Sequence, residues 1–147
     1  MLHQITSAGG AIEFKCGCGG SQYASVGLKP AGSSFFSTLV SKISSACTSN
    51  SGCARAYNYG VDWGFSCRMG TVYRHYNNDE ANSALGGYTA SDVFRVEFSG
   101  NTVNWLKNGV VLSTETESSI SYPLNVVAIL HNEISSCSAV EDLAVVT

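Results

Sequence analysis

The chain is short of charge and of long apolar runs, and each shortage disfavours a class of protein. Charged residues make up only 13% of the 147 residues, which is too few for a disordered tail or a coiled coil. The net charge is −3 and no basic cluster occurs, so a nucleic-acid binder is not expected. The longest apolar run, residues 126–130, is far below the ~20 residues that span a bilayer, so membrane insertion is not expected either. A single domain over residues 1–147 is the expectation.

The first residues lack the basic and apolar segments of a secretory signal, which taken alone favours the cytosol. The cysteines argue the other way, because an even number in a chain rich in Ser and Gly is typical of oxidised extracellular proteins. None of them forms a C-x2-C pair, so structural zinc is disfavoured. We therefore predict three disulfides and a secreted protein, whose signal has been removed or whose export takes another route. The six cysteines are Cys16, Cys18, Cys47, Cys53, Cys67 and Cys137.

Strand-forming residues dominate the chain, which contains only two prolines. From Tyr57 to Cys67, apolar and small or polar residues alternate strictly, which is the strongest local signal of a strand. Asn108-Gly109 is a typical hairpin turn. The pattern predicts an all-β, two-sheet antiparallel jelly-roll-like sandwich. The predicted strands cover residues 11–15, 23–28, 57–67, 71–76, 93–98, 102–106, 110–114, 124–130 and 139–146.

One segment has helical periodicity instead. Phe36, Leu39, Val40, Ile43 and Cys47 are spaced as on one helix face, which predicts one short helix near residues 35–46.

The strand directions suggest where the cysteines meet. If the last strand lies beside the first, Cys16, Cys18, Cys67 and Cys137 cluster at one end of the sandwich. We expect Cys16 and Cys18 each to pair with Cys67 or Cys137, in an order that the sequence leaves open. Cys47 and Cys53 lie in the segment between strands at the other end, and their simplest pairing is with each other.

Two stretches resemble a known family. Residues 87–98 read G-Y-T-A-S-D-V-F-R-V-E-F, and residues 101–112 read N-T-V-N-W-L-K-N-G-V-V-L. They resemble the strand and the following K-N-G hairpin of concanavalin-like jelly-roll modules from bacterial surface and phage tail proteins. The likeness extends over residues 11–29 and 57–146. The six cysteines and the segment 30–56 depart from it and are more similar to small six-cysteine galactose-binding lectins of marine sponges.

Both resemblances imply a sandwich whose leading function is carbohydrate binding. They imply no site residue by residue, so candidate sites come from the polar side chains. Sugar hydroxyls both donate and accept hydrogen bonds, which suits planar amides and carboxylates. The densest polar run leaves the predicted strand 71–76 and enters a loop, and Tyr76 or Trp63 could offer an aromatic face to the sugar. The candidates in this run are His75, Tyr76, Asn77, Asn78, Asp79, Glu80 and Asn82.

A second candidate site, His131, Asn132 and Glu133, ends an apolar strand at the expected cysteine-rich end. Asp62 is a third candidate, because it is expected on a strand face with small glycine neighbours. Arg95 and Glu97 are expected on one face of their strand. They could either line a ligand-binding surface or form a simple ion pair.

Trp105 is expected in the core. No resident cofactor is expected, although Asn77, Asp79 and Glu80 offer the oxygen ligands that calcium prefers.

An enzyme is the rival class. A glycosidase needs two carboxylates about 5–9.5 Å apart, and Glu13, Asp62, Glu97 and Glu133 are available, but none lies in a recognisable motif. An adhesion or structural module that binds protein rather than sugar is the other alternative.

The prediction is therefore a non-catalytic lectin for galactose or β-galactoside glycans. We expect a homodimer or higher homo-oligomer, because linked sites raise avidity.

Overall fold

The protein is an all-β sandwich of two antiparallel sheets. This computed structural model describes residues 4–17, 23–32, 61–76, 84–131 and 140–147. The strands are β1 Gln4–Ile5, β2 Ala11–Cys16, β3 Tyr23–Pro30, β4 Trp63–Arg68, β5 Thr71–Tyr76, β6 Ala84–Gly87, β7 Val93–Ser99, β8 Thr102–Lys107, β9 Val110–Thr116, β10 Leu124–His131 and β11 Val140–Val146. The predicted fold class is confirmed.

The strands are divided between a six-stranded sheet A and a five-stranded sheet B. Sheet A has the order β1-β10-β3-β4-β5-β6, and sheet B has the order β11-β2-β7-β8-β9. The last strand lies beside the first long strand, with Val145 opposite Ile12, as expected. Each sheet therefore has an inner face against the other sheet and an outer face away from it.

The core is built from the alternate residues of both inner faces. Phe14 and Phe94 of sheet B pack on Phe65 of sheet A, with ring centroids 5.1–6.1 Å apart. Trp105 is fully buried, as predicted, and its indole N–H donates to the backbone oxygen of Gly64 at 2.8 Å. Burying each of these aromatic side chains contributes roughly 1.5–3 kcal/mol. They fix the two sheets against each other.

The beginning of β4 differs from the prediction. The strand starts at Trp63, whereas the alternation predicted it from residue 57. Val61 was expected on the same face as Trp63, but its side chain lies over the outer face, against the positions where Gly27 and Gly64 would carry a Cβ. The chain bends at Asp62, whose backbone N–H donates to the Leu28 oxygen at 2.9 Å. Because Gly27 and Gly64 have no side chains, Val61 fits against them and is fully buried on the outer face.

Two short strands, β1 and β6, were not predicted, because neither is long enough to show alternation. Residues 57–60 and the predicted helix near residues 35–46 lie outside the described residues. No helix in the described part of the chain is long and apolar enough to cross a membrane.

The disulfide Cys16–Cys67 joins β2 of sheet B to β4 of sheet A, with the two Cα atoms 6.4 Å apart. This is one of the pairings that the sequence left open, and it confirms that these two cysteines meet at one end, here called the cysteine end. Strand β10 ends and β11 begins at the same end, because His131 lies opposite Tyr23 and Val140 opposite Cys16. Cys18, Cys47, Cys53 and Cys137 lie outside the described residues.

The two sequence stretches that resemble the known family contact each other at the cysteine end. Hydrogen bonds there join the turn before β7 to the turn between β8 and β9. The Asp92 carboxylate accepts hydrogen bonds from the Thr89 backbone N–H and the Asn108 amide, both at 2.8 Å. The Asn108 amide oxygen in turn accepts from the Val93 backbone N–H at 2.9 Å. These bonds hold the pKa of Asp92 below its ordinary value, chiefly through the Thr89 N–H. In this chain the Asp and Asn of the motifs stabilise the fold.

Candidate functional site

The outer face of sheet A holds an unusual concentration of buried polar side chains. Outer faces of antiparallel sheets normally meet solvent. Polar side chains that are buried there instead need hydrogen-bond partners within the protein. Three buried polar or charged residues occur among the described residues, and all of them project from this face: Ser25 on β3, Ser66 on β4 and His75 on β5. We call these three residues the polar floor.

Hydrogen bonds connect the polar floor across three adjacent strands. Ser25 lies directly opposite Ser66, and their hydroxyl oxygens are 2.8 Å apart. The Ser25 hydroxyl is also 3.5 Å from Nε2 of His75. Next to these residues lies the glycine pair Gly27 and Gly64, on which Val61 packs. Small side chains at the centre of the sheet allow this close packing, since a Cβ at either glycine would clash with neighbouring backbone.

A partly exposed rim borders the polar floor towards the cysteine end. It consists of Arg68 at the end of β4 and Tyr73 on β5, both half-buried. Tyr73 lies opposite Ser66, so the rim continues directly from the floor. The guanidinium carbon of Arg68 lies 5.1 Å from the centroid of the Tyr73 ring, which is cation–π distance. The rim therefore combines an aromatic ring with a planar group that carries several N–H donors.

The opposite end of the same face is also polar. Lys29 and Asp62 form an ion pair at 3.4 Å, and both side chains are largely buried. Further along the row, the Gln4 side-chain amide donates to the Asn125 amide oxygen at 2.7 Å. These contacts are made within the protein, so they stabilise the face rather than leave groups for a ligand.

The structure separates the first predicted site. His75 lies on the outer face but is fully buried, so its side chain is not accessible to a ligand. Tyr76 lies on the inner face, edge-on to Trp105 at 6.0 Å. Trp63, the alternative aromatic platform, is 6% exposed and packs on Phe98 in the core. The remaining residues of that site, Asn77, Asn78, Asp79, Glu80 and Asn82, lie outside the described residues.

The register brings another predicted residue towards the rim. His131 ends β10 opposite Tyr23 of β3, and Tyr23 lies opposite Arg68 of β4. Two strand spacings, about 10 Å, therefore separate the backbone of His131 from that of Arg68 in one row of sheet A. Asn132 and Glu133 of the same predicted site lie outside the described residues. Asp62 lies in the bend before β4 rather than on a strand face as expected, and it pairs with Lys29 at the far end of sheet A.

The outer face of sheet B carries a different arrangement. Arg95 donates to Glu97 at 3.0 Å and to Glu13 on the neighbouring strand at 3.3 Å. Glu97 also accepts from the Asn104 amide, and Asn104 accepts from the Thr114 hydroxyl at 2.7 Å. The shared face predicted for Arg95 and Glu97 is confirmed, and each member of this row already has a protein partner.

The candidate carboxylates of the enzyme alternative are divided between the two sheets. Glu13 and Glu97 share Arg95 on sheet B, whereas Asp62, in the bend before β4, pairs with Lys29 of sheet A. Glu133 lies outside the described residues. No group of three or more His, Cys, Asp or Glu side chains among the residues described here is placed to hold a metal ion.

Arg68 and Tyr73 were missed by the sequence analysis. Both belong to predicted strands or turns, and neither stands in a dense polar run, which was the signal used to choose sites. Their proximity depends on the pairing of β4 with β5 and on the alternation that turns both side chains outward. A search for polar and aromatic residues on outward positions of adjacent strands would have found them.

Comparisons with known proteins do not place the chain in a family. No family model matches it, and no match was found among the curated proteins or among the solved structures.

Proposed function

We propose that the protein is a secreted, non-catalytic lectin that binds galactose or β-galactoside glycans at the rim on the outer face of sheet A. The concanavalin-like and sponge-lectin resemblances supply the sugar class. The rim supplies a place where the required chemistry is found. A protein-binding adhesion module is the competing function, and it is an outcome of the experiment below.

The pairing of Arg68 with Tyr73 is the observation that carries the proposal. A pyranose has an apolar patch of C–H groups, which packs on an aromatic ring, and hydroxyls at its edge, which accept hydrogen bonds from a guanidinium. Both side chains are partly exposed and lie on neighbouring strands. The polar floor beside them is hydrogen-bonded and buried, which holds the strands that carry both side chains, so little ordering entropy would be lost when a ligand binds.

The disulfide supports secretion. Bridges of this kind persist in oxidising compartments and are rare in the cytosol. The Cys16–Cys67 bridge is at the same end of the sandwich as Arg68, so it also restrains the strand that carries this side chain.

A glycan array tests the proposal. The wild type is compared with Tyr73→Ala, Tyr73→Phe and Arg68→Gln, each with and without a chelator. We expect selective binding to β-galactosides by the wild type, about tenfold or greater loss in Tyr73→Ala and Arg68→Gln, and near-normal binding in Tyr73→Phe, which keeps the ring. Asn104→Ala on sheet B is the matched control and is expected to bind like the wild type.

The other outcomes are equally informative. Asn78→Ala and Asn132→Ala, in the two sites predicted from sequence, are included in the array. If only one of these abolishes binding, the ligand site moves to that segment and the rim is not the site. Loss of binding with chelator would indicate a calcium requirement, for which Asn77, Asp79 and Glu80 are the candidate ligands. Failure of the wild type to bind any glycan would overturn the lectin proposal in favour of the adhesion module.

A further inference from the structure

Four strands form the edges of the two sheets in the described chain, and they differ in how well they are protected from pairing with another strand. Natural edge strands are kept short, carry charges, or are interrupted by bulges. β1 has only two residues. β6 has four, with a register shift against β5. β11 carries Glu141 and Asp142 at its own register shift.

Strand β9, the edge of sheet B, has fewer of these protections. It is seven residues long and contains neither lysine nor proline. Its one charged residue, Glu115, is turned inward, where it accepts from Arg74 of sheet A at 2.7 Å. A register shift against β8 lies near Leu112. Ser113–Thr116 pair regularly with β8 on one side of this shift, and Val110 and Val111 pair with it on the other side.

The side chains of β9 are also the most apolar surface at any of these edges. Val110 is 63% exposed and Val111 is 50% exposed. Only one other large hydrophobic residue of the described chain is similarly exposed, Met69, which lies in the β4–β5 turn and not on an edge strand. Two adjacent exposed valines on an edge strand whose single charge is turned inward favour strand addition.

We infer that β9 is the interface of a homodimer, in which β9 of one copy pairs antiparallel with β9 of a second copy. A second copy fits this edge because the edge is self-complementary: a twofold axis near the middle of β9 places the Val110–Val111 half of each strand opposite the Ser113–Thr116 half of the other. The Glu115 carboxylates do not repel strongly across the axis, because each is neutralised by Arg74 of its own chain. This inference does not depend on sugar binding.

Sedimentation equilibrium over a wide range of concentrations tests the interface. The wild type is compared with Val111→Lys, which introduces the charge that protected edges carry, and with Met69→Lys, which adds the same charge at an exposed hydrophobic residue off the edge. We expect the wild type to approach twice the 15.5 kDa monomer mass. Val111→Lys is expected to weaken self-association by about tenfold or more, with Met69→Lys unchanged.

A second measurement keeps the inference testable if a variant folds poorly. In hydrogen exchange of the wild type, amides of β9 should exchange more slowly as protein concentration rises, while amides of the β11 edge should not change. A wild type that stays at 15.5 kDa throughout, equal weakening by the two lysine variants, or concentration-independent exchange in β9 would overturn the inference. If the wild type binds glycan but remains a monomer, the dimer inference is wrong and the proposed lectin function stands.

Discussion

At the scale of single residues, the glycine pair of sheet A is a position of very close packing. A Cβ at Gly64 would meet the Val26 backbone oxygen, and it would lie 2.7 Å from both the Gly27 Cα and the Val61 side chain. Backbone atoms cannot move away without disturbing the pairing of β3 with β4. The absence of a side chain at this position is therefore a requirement of the fold.

Gly64→Ala is accordingly expected to destabilise the protein by about 1–3 kcal/mol or more, because the added methyl group overpacks the sheet. Gly87→Ala is the control, since its Cβ would have only one neighbour, the Gly70 oxygen at 3.6 Å. That change should lie within about 0.5 kcal/mol of the wild type. Urea unfolding monitored by tryptophan fluorescence measures both, and equal effects would contradict the packing described here.

Asp92 is a second residue whose role can be measured. Its folded-state pKa is lowered by hydrogen bonds from the Thr89 N–H and the Asn108 amide and by Lys107. A lowered pKa means that the carboxylate stabilises the fold above the unfolded-state value of about 3.9, and that this contribution is lost as the pH falls through the folded-state pKa.

Asp92→Asn should therefore cost about 1 kcal/mol at neutral pH. The difference from the wild type should shrink as the pH is lowered below about 4. Free energies of unfolding, measured in urea across this pH range, provide the check. A difference that stays constant with pH would show that the charge of Asp92 does not matter.

At the scale of elements, one ion pair links β5 of sheet A to β9 of sheet B. The Arg74 guanidinium donates to the Glu115 carboxylate at 2.7 Å and to the Ser113 hydroxyl at 2.8 Å. It also lies 5.3 Å from the centroids of the Tyr76 and Trp105 rings. Because the Arg74 side chain is only 19% exposed, this pair is less screened by solvent than the surface pairs.

We expect Glu115→Gln to destabilise the protein by about 1–2 kcal/mol, because a charge-assisted hydrogen bond to a mostly buried arginine is weakened. Asp142→Asn removes the carboxylate of a surface pair with Lys15 whose acidic side chain is 72% exposed, and it should change stability by less than about 1 kcal/mol. Thermal unfolding of the two variants side by side gives the comparison. Equal shifts in Tm would mean that the Arg74–Glu115 pair between the sheets stabilises the protein no more than the surface pair does.

The sequence predicted elements well wherever a pattern was long. Nine strands were expected from alternation and turn residues, and the Asn108-Gly109 turn is present with both residues at positive φ. The prediction failed at Val61, because alternation cannot reveal a bend that moves one residue to the other face. It also could not place Arg68 beside Tyr73, since that proximity comes from strand pairing. Site prediction from dense polar runs selected His75 and Tyr76, which the strand places on opposite faces.

At the scale of the whole molecule, Cys16–Cys67 holds the two sheets together across a sequence separation of 51 residues. In the chain-entropy model, a loop of this length contributes about 4 kcal/mol by restricting the unfolded chain. The double variant Cys16→Ala/Cys67→Ala should lose most of that stability, as measured by urea unfolding under non-reducing conditions. A loss below about 1 kcal/mol would show that the inner faces alone fix the sheets.

The proposed function depends on a ligand lying on the outer face of sheet A. The most direct measurement is an NMR titration of the backbone amides with lactose, a soluble β-galactoside. We predict saturable shifts concentrated around Arg68, Tyr73 and Ser25, with those around Arg95 and Asn104 on the opposite sheet unchanged. Shifts centred on the Arg95 face, or no saturable shift with lactose or any other glycan, would contradict the account.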